Sequence, residues 1–293
     1  MKVSCKWINY QKPTMQISDY AKNASKSFVL PDICIRIRKM LDDNNSAIED
    51  IADVVSLDPS LTSKLLKLAN SPLFRFRSQV DSITKAVNVI GGEALYNLVM
   101  AETASNAFEH FADGEVDLKR FWMQSLYCAL VAKHLAKLAR IRGSEKFFLL
   151  GLLHNIGELI VSSQSPEKGK ACEAFDANVS PWKCQQQVLG FTYCDCSAEI
   201  MRLWQLPEQL CHMVSESHNE KKALTNKEIA ILFTAIRAAT AMVNEDVYDI
   251  QQLVNPVVLE SAGLDEEQLQ DAVRFSQLEA LKMLSIMNPR LSK

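Results

Sequence analysis

An imidazole and an amide stand side by side in Gly151-Leu152-Leu153-His154-Asn155-Ile156-Gly157. Both groups can ligate a metal, but unequally. A neutral imidazole is a common ligand for transition metals. An amide oxygen is neutral and weak beside a carboxylate, which supplies charge and can bridge two ions. The pair therefore has the form of a metal-binding step without its charged half. The alternative is a core histidine, hydrogen-bonded to a neighbouring helix through Gln124 or Asn155. A buried ring nitrogen or amide left unpaired costs about 1–3 kcal/mol, so such partners are expected, and the core reading of His154 is preferred.

Other side chains offer chemistry at less persuasive spacings. Cys194-x-Cys196, with Cys184 and Cys211-His212, supplies zinc-binding atoms, yet the spacing fits no standard finger or ribbon. Residues two apart on a helix point about 200° apart, so ordinary buried or half-buried thiols are expected. Arg75-Phe76-Arg77 is a loop candidate for an anionic ligand or an acidic partner. His218, after Ser215-Glu216-Ser217, is expected to be a solvated or capping residue. There is no Gly-x-Ser-x-Gly, no Cys-His nucleophile signature and no Walker or Rossmann glycine pattern.

The elements that must hold these residues are helices. Pro31-Asp32 opens one with Ile33, Ile37, Met40 and Leu41 on a face, and a short one carries Ile48, Ile51, Ala52 and Val55. Asp58-Pro59 is an N-cap followed by proline at the first helical position, ahead of Leu61, Leu65, Leu66 and Leu68. Ser82 caps the next, which Gly91-Gly92 closes, and another runs from Glu93 to about Phe111. A long amphipathic helix is predicted from Leu118 to Ile141, ended by Gly143, and one helix from Lys146 to Ser162 carries His154 and Asn155. Helices follow at 167–177, 181–189, from Cys194 to Trp204, from Leu206-Pro207 through Val214, at 226–243, and after a cap at Leu264-Asp265. In that last helix Val273, Leu278, Leu281 and Leu284 form an apolar stripe expected to pack back on the domain. No stretch alternates with period two, so the fold class is all-α.

Composition agrees. The 293 residues are 48% hydrophobic and 23% charged, with only 9 Gly and 9 Pro. A net charge of -3 gives no basic field for nucleic acid. Lys64, Lys67, Arg75, Arg77 and Lys85 surround two short helices, but solvated charge around a buried stripe explains them better than a DNA-reading motif. No secretory signal and no run of about 18 apolar residues is visible, so a cytoplasmic protein without a membrane segment is expected, its 8 cysteines reduced.

Several separated blocks are similar to one family. Leu30-Pro31 comes first. Asp58-Pro59-x-Leu61-x-x-Lys64-Leu65-Leu66-x-Leu68-Ala69-Asn70-Ser71 and Phe74 follow, then Ser82-Ile83-x-x-Ala86-Val87-x-x-Ile90-Gly91 and Phe121-Trp122-x-x-Ser125. The His154-Asn155 block, Leu189-Gly190-x-Thr192 and Leu203-Trp204-x-Leu206-Pro207 complete the series. Their order resembles the HDOD domain, the HD-related output domain of bacterial signalling proteins, over about residues 25–220. The resemblance implies a multi-helix HD-like bundle with an N-terminal helical subdomain. The division expected is a 1–24 extension, a 25–220 core with its subdomain boundary near 112–113, and 221–293 as helices packed on the bundle.

The resemblance also implies where metal ligands would stand. The first histidine falls at Gln124, a poor substitute for imidazole, and the His-Asp pair is His154-Asn155. The last aspartate belongs on the 229–244 helix, which has no acid, and a further histidine frame holds Tyr193. One ligand of four, His154, survives, and an imidazole with an amide would not hold a dication tightly. Gln124, His154, Asn155 and Tyr193 are thus vestigial positions, with no catalytic residue, metal or cofactor expected. The implied function is a stand-alone, non-catalytic signal-transduction output or interaction module that binds a protein partner or small-molecule ligand. Alternatives are a divergent metal-dependent phosphohydrolase of the HD superfamily and a nucleic-acid-binding regulator.

Overall fold

The computed structural model describes residues 15–43, 47–72, 74, 79–112 and 116–292. The patch at Arg75 and Arg77 lies outside these. Among the described residues the structure is helical, and the one extended pairing is an isolated bridge between Asp176 and Val179.

The N-terminal helices are α1 (Ile17–Ser27), α2 (Asp32–Asp42), α3 (Ile48–Ser56), α4 (Pro59–Ala69), α5 (Ile83–Ile90) and α6 (Gly92–Phe111). Their starts follow local chemistry. The Asp58 carboxylate accepts from the Ser60 and Leu61 amides at 2.9 and 3.0 Å, and Ser82 Oγ accepts from Lys85 N at 3.2 Å. Gly91 turns between α5 and α6 at φ 85°, a left-handed conformation that disfavours side chains.

The bundle continues with α7 (Leu118–Leu138), α8 (Lys146–Leu153), α9 (Ile156–Gln164), α10 (Pro166–Cys172), α11 (Pro181–Leu189) and α12 (Tyr193–Leu203). It closes with α13 (Glu208–Ser215), α14 (Glu220–Ala223), α15 (Lys227–Val243), α16 (Ile250–Leu253), α17 (Pro256–Ser261) and α18 (Glu266–Met287). Helix α7 is the central post: α8, α15 and α18 all pack on it. Its Phe121, Trp122, Leu126 and Leu130 are fully enclosed. One contiguous apolar core runs from Tyr20 to Met287.

Four expectations are corrected. The expected boundary at residue 24 falls inside α1, which packs on α12. Tyr20 holds it there, donating from its hydroxyl to Ser165 Oγ at 2.8 Å and meeting the Phe191 ring edge-on at 5.7 Å. Its sequence is polar, and tertiary burial of Tyr20, Ala21 and Ala24 stabilises what propensity alone does not signal. The long helix ends at Leu138, before Gly143, because Arg140 adopts φ 56°. The segment from Lys146 to Ser162 is two helices, broken at His154-Asn155. In α18, Val273 and Leu284 are buried, but Leu278 and Leu281 are 71% and 56% exposed. The buried stripe is Leu269, Ala272, Val273, Ser276, Ala280, Met283, Leu284 and Met287, so the helix is rotated from the face that leucines alone suggest. Lys146–Gln164 is long and apolar enough to cross a membrane by composition, yet 89% of its apolar window is buried within the bundle.

Candidate functional site

The break between α8 and α9 is set by two glycines. A Cβ on Gly151 would stand 2.3 Å from Ala129 Cα, and one on Gly157 would stand 2.3 Å from the Tyr193 carbonyl oxygen. Only glycine lets α8 approach the α7 backbone and α9 approach α12 this closely. Gly157 N donates to Ser197 Oγ at 3.0 Å, and that hydroxyl donates to the Tyr193 carbonyl at 2.8 Å. The glycines of the motif thus fix His154 and Asn155 between three helices.

His154 is 1% exposed. Its Nδ1 lies 2.6 Å from the Gly151 carbonyl oxygen, an atom that can only accept, so Nδ1 carries the proton. Its partner is therefore its own helix, in place of the expected Gln124 or Asn155. The Nε2 atom is buried without a hydrogen-bond partner. Burial drags the imidazole pKa down to about 4, which the carbonyl bond only partly offsets, and the ring is neutral near pH 7.

Asn155 turns the other way. Its Nδ2 donates to Glu158 Oε2, and the Arg120 guanidinium binds Glu158 Oε1. Arg120 is held above its ordinary pKa, chiefly by the Glu158 charge. Arg120, Gln124, Asn155, Glu158, Tyr193 and Thr240 line one small cavity of about 30 Å³. Gln124, Asn155 and Tyr193, three of the four positions that the family resemblance singles out, therefore line one cavity, and Thr240 of α15 joins them. His154 does not line this cavity. Burial pushes the Tyr193 phenol upward, and its backbone N–H donates to Gln185 Oε1 at 2.9 Å.

These residues do not fit a catalytic metal. The surviving imidazole stands outside the cavity, the amide is committed to Glu158, and the carboxylate is neutralised by a guanidinium. No group of three or more His, Cys, Asp or Glu among the described residues is arranged to hold an ion. The seven cysteines described are buried and form no disulfide, as expected of core thiols.

A second cluster adjoins the first. His218 is not the solvated or capping residue expected. It is half-buried, its Nδ1 is enclosed without a partner, and its ring stacks on Trp182 at 5.1 Å and 22°. The Arg237 guanidinium lies 4.5 Å from the Trp182 ring centre and 3.1 Å from that of Phe233. Burial holds the His218 pKa well down, followed by the charges of Arg237 and His154. Arg237 and Thr240 are three residues apart on α15, so the two clusters share one helix face.

Sequence reasoning missed Arg120, Glu158, Trp182 and Arg237. The signals existed: Arg120 precedes Gln124 by four residues and Glu158 follows Asn155 by three, both same-face helical spacings. Arg237 is the one charged residue between Ile229 and Met242. A search for an acid on that helix passes over its cation.

The HDOD domain model matches residues 28–220, well over half of the chain. An uncharacterized protein of Treponema pallidum is 28% identical over 196 residues, covering 65% of this chain and 37% of its own length. The chain thus spans little more than a third of that relative. An HDOD domain protein of unknown function from Geobacter sulfurreducens superposes with a TM-score of 0.69 at 21% identity, over 92% of this chain and 97% of that one. A candidate phosphohydrolase of Shewanella amazonensis gives 0.64 at 21% identity, over 93% and 96%. A candidate signal-transduction protein of Marinobacter aquaeolei gives 0.66 at 22%, over 94% of this chain and 62% of that one. These structures share its fold. With its characteristic blocks matched from residue 28 to 220 and its helices superposed along nearly their whole length, the chain belongs to the HDOD domain family.

Proposed function

We propose that this chain is a non-catalytic output or interaction module of bacterial signal transduction, binding a protein partner or a small ligand through a degenerate HD site. One observation carries the reading. The cavity between Gln124, Asn155, Tyr193 and Thr240 already contains its own cation and anion, Arg120 and Glu158. Hydrolysis of HD type needs a metal to lower the pKa of a water or polarise a phosphoryl group. A guanidinium supplies positive charge but no vacant coordination position. An incoming dication would have to break a largely buried ion pair, at a cost of about 3–5 kcal/mol.

Signal output also suits the family and the likeness to a candidate signal-transduction protein. Nucleic acid is the less favoured partner. Lys64 pairs with the buried Glu102, and Lys85 lies 3.4 Å from Asp81, so two of the local cations are engaged within the chain.

The test is turnover. Purified protein with added Mn²⁺ or Mg²⁺ is expected to leave nucleotides and phosphodiesters intact. Hydrolysis that disappears in His154→Ala would establish the phosphohydrolase alternative instead.

A further inference from the structure

A buried cation is costly unless paired, and arginine is rarely enclosed without a carboxylate. Arg237 is 5% exposed, yet no carboxylate oxygen among the described residues lies within 4.0 Å of its guanidinium. Its one described hydrogen bond is from Nη1 to the Phe233 carbonyl, 3.0 Å away on its own helix. The remaining guanidinium faces are met by aromatic rings. Beside it, His218 Nδ1 is enclosed and unpartnered. Phe233 belongs to the same helix as Arg237, but Trp182 comes from α11 and His218 from the turn after α13. Three separate parts of the chain thus bring a charged fork, an imidazole donor and a flat aromatic face together.

We infer that Arg237 and His218, backed by Trp182, form a binding site for a small oxyanion such as phosphate, free or as the terminal group of a larger ligand. A neutral imidazole can place its proton on Nδ1 and donate to an oxyanion, while the guanidinium offers further N–H groups in a planar fork suited to two oxygens. Trp182 and His218 are both half-buried, so the cluster reaches solvent through them. The contrast with Arg120 is direct: that guanidinium touches Glu158, whereas the Glu220 charge acts on Arg237 only from beyond contact distance. Arg237 lies outside the lining of the small Arg120–Glu158 cavity, so the oxyanion would occupy a separate position along α15. Desolvation holds the Arg237 pKa near 9, a strain that an adjacent anion would relieve.

This inference rests on the reading of the chain as a ligand-binding module, and it is tested by binding alone, so turnover and anion uptake can fail independently. The experiment is calorimetric titration of the full chain with inorganic phosphate, repeated with acetate to separate phosphate from carboxylate recognition, and with chloride at matched ionic strength. Wild type is expected to bind phosphate saturably and chloride not at all. Stronger uptake of acetate than phosphate would identify a carboxylate as the group recognised and overturn the phosphate assignment. Arg237→Met should abolish phosphate binding. His218→Phe, which keeps a ring against Trp182 but removes the donor, should weaken it roughly tenfold, the effect of one lost hydrogen bond. If Arg237→Met does not fold, His218→Phe decides. Wild-type protein that responds to phosphate no more than to chloride overturns the inference, as does wild-type affinity in either folded variant.

Discussion

Two neighbouring clusters on one face of α15 treat buried charge in opposite ways. Around Thr240, Arg120 and Glu158 neutralise one another and Asn155 closes the network beside a small cavity. Around Arg237, a guanidinium is buried against aromatic rings with the unpartnered Nδ1 of His218 nearby. The first cluster is complete as it stands. The second has donors that nothing in the described chain accepts from. One helix face thus carries a buried guanidinium with its counter-charge and another without a carboxylate in contact.

The largest effect should come from opening the completed cluster. Arg120→Ala leaves the Glu158 carboxylate enclosed without its counter-charge, and should destabilise the fold by about 3 kcal/mol, the low end for a broken buried pair because Arg120 keeps some solvent contact. Urea denaturation measures it, and a loss below about 1 kcal/mol would show that Glu158 is well solvated.

A similar effect, read by pH, belongs to His154. Its folded pKa of about 4 lies below the ordinary histidine value of 6.5, so between these values the unfolded chain binds the extra proton. Stability contributed by the neutral ring is intact above about pH 6.5 and falls as pH drops toward 4, by up to about 3 kcal/mol. His218 adds to the same slope, its pKa being lowered too. His154→Gln should make the stability profile between pH 6.5 and 4 visibly shallower. An unchanged slope would mean that His154 is charged in the folded protein.

Asn155→Asp tests the completed cluster from its other side. The amide that donates to Glu158 becomes a second carboxylate, and the repulsion should cost about 1–3 kcal/mol near neutral pH. Protonation of either acid relieves it, so the deficit should shrink as pH falls. No phosphodiesterase activity is expected from this variant, because Gln124 and Thr240 still face the cavity. The smallest effect is predicted for Arg237→Met: replacing an unpaired buried cation with an apolar side chain should leave stability within about 1 kcal/mol of wild type, or raise it. A loss of several kcal/mol, seen by thermal denaturation, would show that Arg237 has a structural counter-charge.

The helical architecture was readable from caps and apolar spacing. Asp58, Ser82 and Asp265 cap the helices that follow them through hydrogen bonds to backbone amides. The convergence of Gln124, Asn155 and Tyr193 was readable only through the family blocks, since these residues lie on α7, at the α8–α9 break and on α12. What escaped sequence reasoning depends on tertiary contact. Helix α1 is held by Ser165 and Phe191, more than 140 positions away. The His154-Asn155 break is enforced by close approach of α7 and α12 at two glycines, which an apolar run does not reveal. His218 follows polar residues and looks solvated until Trp182 covers it. Leu278 and Leu281 face solvent because smaller residues, Ala272, Ser276 and Ala280, form the packed side of α18.

The central claim is that the ancestral metal position is filled from within by Arg120 and Glu158. Calorimetric titration of the wild-type chain with Mn²⁺ tests it most directly. The account predicts no stoichiometric uptake. Uptake of one or two ions per chain that is lost in His154→Ala would contradict it.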